Sequence, residues 1–175
     1  GSSKGIHDKC LVDDANDLPA VIASLRKDHP QTVLIEEFIE GEELTVGLFG
    51  NSDPTILGMM RIVPKVPTKR FIYSLETKRD YRNRVTYECP PKLPATVIAN
   101  VAAAAKLAFR TLGCRDVARI DFRIRGETPY FLEVNPLPGL NPIDSDLALI
   151  AGYVGWSYEK LVTTIVNEAM ARTER

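Results

Sequence analysis

Residues 118–140 read ARIDFRIRGETPYFLEVNPLPGL. Two carboxylates, Asp121 and Glu133, and one amide, Asn135, sit inside or at the end of runs that are otherwise suited to a packed sheet. Strand alternation puts Ile120, Phe122 and Ile124 on one face and Arg119, Asp121 and Arg123 on the other. In the second run Tyr130, Leu132 and Val134 share a face, opposite Phe131, Glu133 and Asn135. Apolar faces must meet across a hairpin. A three-residue loop, Gly126-Glu127-Thr128, achieves this by pairing Ile120 with Val134, Phe122 with Leu132 and Ile124 with Tyr130. The same register sets Asp121 directly opposite Glu133. Facing carboxylates repel unless they share a proton or a cation. Asn135 follows on the same face, roughly 7 Å along the strand. Three hard oxygen donors in that arrangement suit Mg²⁺ held beside phosphates. The alternation is equally compatible with a solvated polar face that holds no ligand.

The surrounding elements must position this hairpin. Residues 17–28 predict a helix with Asp17 as cap, Pro19 in its first turn, and Leu18, Val21, Ile22 and Leu25 on one stripe. Residues 32–38 (TVLIEEF) predict a strand, as do residues 43–49 and 55–63. The last two pair as a hairpin through the turn Gly50-Asn51-Ser52-Asp53-Pro54. Residues 64–83 show little regular pattern, and a loop of that length in a compact domain is usually functional or disordered. A short strand follows at 84–88. Residues 94–112 predict the clearest helix, with Val97, Val101, Ala105, Ala108 and Leu112 on one face and Gly113 ending it. After the 118–135 hairpin, residues 145–151 predict a short helix. Ser157 opens a final helix with Leu161, Val162, Ile165, Val166 and Ala169 inward. Mixed helices and mostly antiparallel strands indicate an α+β fold. A composition break at Ile39-Glu40-Gly41-Glu42 divides residues 1–38 from 39–175.

Bulk properties exclude some classes. The chain has 175 residues, 45% of them hydrophobic and 26% charged, with formal net charge -1, so no global basic field points to nucleic acid. One run is richer in cations: Arg61, Lys65, Lys69, Arg70, Lys78, Arg79, Arg82 and Arg84. It reads either as a solvated loop or as a phosphate-facing one. The three cysteines, Cys10, Cys89 and Cys114, form no CxxC pair, so neither a disulfide framework nor a zinc site is suggested. That usage fits a reducing, cytoplasmic setting. No apolar run approaches the ~20 residues of a membrane span.

RIDF, FLEVN and PGLNP, in that order, resemble the C-terminal half of the ATP-grasp ligases, in the branch of the D-alanine–D-alanine ligases. GSSKGI at residues 1–6 resembles the family's phosphate loop, and VLIEEFIEGEELTV at 33–46 its adenine-binding hinge and following strand. The matches span nearly the whole chain. The resemblance implies a fragment: a remnant of the central subdomain (1–38), with its phosphate loop, helix and hinge strand, and a C-terminal ATP-grasp subdomain (39–175). The family's N-terminal and central domains, with the phosphate-binding lysine, would precede it and be its missing partners.

The resemblance further implies an ATP-dependent carbon–nitrogen ligase in peptidoglycan precursor chemistry. ATP phosphorylates a carboxylate, and an amine displaces phosphate from the acyl phosphate. Asp121, Glu133 and Asn135 would hold two Mg²⁺ ions, with Mn²⁺ as a substitute. Arg119, the Gly139 N–H and Ser2 would serve catalysis, Arg119 and Gly139 by stabilising the developing charge. Ser3 would bind phosphate; Glu36, Glu37, Phe38 and Ile39 the adenine edge; Glu43 the ribose; Leu132 the base; and Lys78 the γ-phosphate. The partners are a small carboxylate and an amine, with neither nucleic acid nor membrane, and a homodimer is allowed. Two departures bear on the substrate. Arg79 stands where these ligases usually carry tyrosine, and Asp144 and Asp146 follow the PG loop, where they would repel a bound carboxylate. A ligase acting on another amino acid or amine, or a non-catalytic nucleotide-binding module, are the alternatives.

Overall fold

The computed structural model describes residues 6–28, 32–68 and 70–173. Its centre is a five-stranded antiparallel sheet of order β3-β2-β1-β4-β5, with β1 Glu42–Gly50, β2 Thr55–Pro64, β3 Val85–Glu88, β4 Asp116–Arg125 and β5 Thr128–Asn135. The helices are α1 Leu18–Asp28, α2 Leu75–Arg79, α3 Tyr81–Arg84, α4 Ala95–Thr111, α5 Asp146–Tyr153 and α6 Tyr158–Thr173.

Strand alternation divides the core into two layers. Leu44, Val46 and Leu48 of β1 and Ala118, Ile120, Phe122 and Ile124 of β4 point to one face and pack on α4. The stripe α4 buries is Val97, Val101, Ala105 and Phe109, an i, i+4 row. Phe109 rather than Leu112 completes it, and Leu112 is exposed. Each large apolar side chain fully buried this way contributes about 1.5–3 kcal/mol. On the opposite face, α5 and α6 cover Leu57, Met60 and Val117 with Leu147, Ile150, Ala151 and Leu161. Glycines make room for α5. A Cβ on Gly58 would lie 2.7 Å from Ile150 Cγ2, and one on its cross-strand partner Gly47 2.8 Å from Leu147 Cδ1. The same face also carries Glu43, Thr45, Asp121, Glu133 and Asn135.

Several expectations need correction. Residues 32–40 form no strand. Leu34 and Ile35 are 76% and 58% exposed. An apolar run becomes a strand where a partner's backbone groups meet its own, and among the described residues no strand pairs with it. The long loop contains α2 and α3, with the Ser74 hydroxyl capping α2. Asp14 caps the 3-10 turn Ala15–Asp17 that leads into α1, accepting from the Asn16 N–H. Val166 of α6 is half exposed.

The hairpin itself differs in detail. Arg125 pairs with Thr128, so its loop has two residues, Gly126 and Glu127. Gly126 has φ 61°, the positive value that the first central position of a type II′ turn requires. Ile124 therefore faces Pro129 and Phe122 faces Phe131. A bulge between Asp121 and Phe122 in the register absorbs Leu132 as the extra residue, and Asp121 faces Glu133 and Ile120 faces Val134 beyond it.

Candidate active site

Arg119, Asp121 and Arg123 alternate on β4, and β1 and β5 bring Glu43, Thr45, Glu133 and Asn135 to the same face. Arg119 organises one end. Its Nε and Nη2 donate to the two oxygens of Asp121 at 3.0 and 2.8 Å. Nη2 also lies 3.5 Å from Glu133 Oε1, and Nη1 lies 3.0 Å from Asp146 Oδ2. Thr45 Oγ1 donates to Asp121 Oδ1 at 2.6 Å. Asn135 Nδ2 donates to Glu133 Oε1 at 3.1 Å, which leaves Asn135 Oδ1 as a third oxygen beside the two carboxylates. Burial works against the charge of Arg119, but Asp121, Asp146 and Glu133 outweigh it and hold its pKa above the usual guanidinium value. Burial pushes the Asp146 carboxyl up, and Arg119 opposes that shift.

Arg123 organises the other end. It is buried, and its guanidinium donates to the carbonyls of Ile39, Gly41 and Phe71 and to Glu43 Oε2, the last at 3.0 Å. The Phe38 ring lies against it, 4.8 Å from centroid to Cζ. One side chain thus ties residues 38–41, β1 and the 71–74 loop together. Burial raises the Glu43 carboxyl to about 7, with Arg123 pulling it down and Asp121 pushing it up. The loop closes over this end. Tyr73 and Tyr87 share a hydroxyl–hydroxyl hydrogen bond, and Lys78 Nζ sits 4.8 Å from the Tyr73 ring centroid. Leu75 N–H donates to the Ile6 carbonyl, and His7 Nδ1 meets Glu76 Oε1 at 2.8 Å.

The remaining candidates divide. Glu36 and Glu37 are exposed, and Glu37 pairs with Arg125 at 2.7 Å. Ile39 is buried and Leu132 is 41% exposed at the bulge. Gly139 sits where a Cβ would come 2.9 Å from Ser145 Oγ, which also accepts from the Asn141 N–H. Ser2 and Ser3 lie outside the described residues. Three participants were not singled out from the sequence. Thr45 and Arg123 stood on the right face by alternation, and Asp146 was read as a repelling charge, whereas it is buried against Arg119.

The donor set suits a hard divalent cation, because Mg²⁺ takes one or two carboxylates and completes its shell with water and phosphate oxygens. Among the described residues no three carboxylate, imidazole or thiol groups are placed to hold one metal ion, so the set is two carboxylates and an amide. A cavity of about 330 Å³ is lined by Asp8, Pro64, Arg70, Phe71 and Arg84, and its lining does not include Asp121 or Glu133.

Comparison with known proteins bears on this arrangement. A family model described as "D-ala D-ala ligase C-terminus" matches residues 1–167. The chain is similar to the D-alanine–D-alanine ligase of Desulforudis audaxviator, 34% identical over 179 residues covering 98% of this chain and 53% of that protein. It is also similar to that of Rhizorhabdus wittichii, 40% identical over 145 residues covering 80% and 43%. The crystal structure of D-alanine–D-alanine ligase from Bacillus anthracis complexed with ATP superposes with TM-score 0.73 at 26% identity, over 93% of this chain and 49% of that one. The chain spans about half the length of the curated relatives it matches.

Proposed function

This chain belongs to the D-alanine–D-alanine ligase family, in its C-terminal region with the ATP-grasp fold, and from that premise we propose that it carries the metal and nucleotide side of an ATP- and Mg²⁺-dependent carboxylate–amine ligase. The observation that carries the reading is Asp121 facing Glu133, with Asn135 beside them and Arg119 across both, on one face of the sheet. When bound, ATP and its divalent cation supply phosphoryl transfer to the carboxylate. Phosphoryl transfer needs positioning and charge stabilisation more than covalent help from the protein, and this face offers both. Asp121, Glu133 and Asn135 Oδ1 would hold the cation. Arg119, buried and charged, would meet anionic oxygens of the substrate. Residues 36–39 would present backbone groups to the base, Glu43 would accept from the ribose, and Lys78 would reach the terminal phosphate. Leu132, lifted by the bulge, would pack on the base, and the Gly139 N–H would point at the reacting carbonyl oxygen.

D-alanine is the substrate that the relatives' names favour for both acid and amine. The acids after the PG loop weigh against it less than their sequence suggests, since Asp146 is neutralised by Arg119. Residues 1–38 would belong to a central subdomain, with Ser2 and Ser3 in the phosphate loop, and a cytoplasmic setting accompanies this chemistry. The chain alone would turn over little, because about half of the relatives' length lies outside it. Calorimetric titration of the chain with Mg²⁺ and a nonhydrolysable ATP analogue tests the reading. Asp121→Asn and Glu133→Gln should each weaken metal-dependent nucleotide binding at least tenfold, about 1.4 kcal/mol. Unchanged affinity in both would overturn it.

A further inference from the structure

We infer that Asp146 is a positioning residue that holds Arg119 on α5 and so keeps Asp121 and Glu133 available to a divalent cation. This rests on the reading that those two carboxylates take the cation. The geometry makes Arg119 a competitor for that site. Both oxygens of Asp121 accept from the guanidinium, and Oδ1 also accepts from Thr45. Glu133 Oε1 is shared between Arg119 and Asn135. A cation entering there meets carboxylates that Arg119 already binds, with Asp121 Oδ1 and Glu133 Oε1 each accepting two hydrogen bonds, and two positive charges would then sit side by side.

Asp146 resolves the conflict because it grips a different edge of the guanidinium. Nε and Nη2 face Asp121, while Nη1 faces Asp146. A planar guanidinium offers its donors along separate edges, so one edge can let go while another holds. The two anchors also come from different elements, Asp121 from the sheet and Asp146 from the first turn of α5. Asp146 is 9% exposed, and a helix N-terminus favours its negative charge. Lys78 and Asp144 also act on it electrostatically, with opposite signs. Arg119 therefore moves its weight from Asp121 to Asp146 as the cation binds, and stays in the site.

Mn²⁺ binding, read from the free-ion paramagnetic signal, tests this with four versions of the chain: unsubstituted, Asp146→Asn, Arg119→Gln, and the double variant. Asp146→Asn should weaken Mn²⁺ binding about tenfold, a coupling ordinary for residues in contact. In the Arg119→Gln background the same change should cost less than about twofold, since the competitor is gone. Thermal unfolding of each version checks folding, and Asp146→Ser takes the place of Asp146→Asn if the latter melts below the assay temperature. The same loss in both backgrounds would mean a plain field effect of the charge, and would overturn the inference while leaving the cation site standing. Wild-type affinity in Asp146→Asn would also overturn it. No Mn²⁺ binding by the unsubstituted chain would remove both the inference and the functional reading beneath it.

Discussion

Arg119 and Arg123 lie four residues apart on one strand face, yet their surroundings give them different work. Arg119 meets three carboxylates, whereas Arg123 meets three backbone carbonyls and one carboxylate. Glu43, buried beside Arg123 with its carboxyl raised to about 7, makes stability pH-dependent. The folded state keeps this proton where the unfolded chain has already lost it. The contribution is therefore fully present below the ordinary carboxylate pKa of 4.5 and is lost as pH rises to about 7. Urea unfolding at pH 5 and pH 8 should show the chain less stable at the higher pH by up to a few kcal/mol from this group, and Glu43→Gln should remove that part of the slope. Arg123→Met should be worse at pH 8 than at pH 5. It strands a buried carboxylate, at a cost of about 3–5 kcal/mol where that group is ionised. Equal losses at both pH values would contradict this. The placement of Asp121 against Glu133 was legible, because alternation and apolar matching leave few registers. The partners of Arg123 were not, because they are main-chain groups 52 to 84 residues away, and carbonyls carry no side-chain signature.

The elements were legible where periodicity is strong and obscure where a partner decides. Helix α4 and the β1–β2 hairpin follow their patterns closely. The 32–38 run has strand composition without a strand among the described residues to pair with, and composition alone does not reveal that. The β4–β5 turn shows a subtler failure. Apolar matching asked for three loop residues, but Gly126 supports the tighter turn, and the bulge at Leu132 takes up the offset. Leu132 is thereby lifted partly out of the core. Leu132→Ala should cost less than about 1.5 kcal/mol, well below the 3–5 kcal/mol expected for Phe122→Ala in the same hairpin. Near-equal losses in thermal unfolding would contradict the bulge. Gly58→Ala should cost about 1–3 kcal/mol by overpacking, because its Cβ would press on both Ile150 and Val154. A neutral effect would mean that α5 does not sit this close to the sheet.

At the scale of the whole molecule, one sheet separates two apolar layers, and its second face is shared between helices and chemistry. No helix among the described residues is long and apolar enough to cross a membrane. Leu34 and Ile35 stay exposed in a chain spanning about half its relatives' length, and on the proposed reading the rest of the nucleotide cleft belongs to the other half. D-alanine-dependent phosphate release should therefore be near background for these residues alone and appear when they are joined to the rest of a ligase of this family; full turnover by the chain alone would contradict that division. The central claim is that a cation lies between β4 and β5. Crystals grown with Mn²⁺ and a nonhydrolysable ATP analogue, measured for anomalous scattering, test it most directly. A manganese peak within coordination distance of Asp121 and Glu133, on the side of Asn135, is the expected result; bound nucleotide with manganese elsewhere, and Arg119 still closed across both carboxylates, would contradict it.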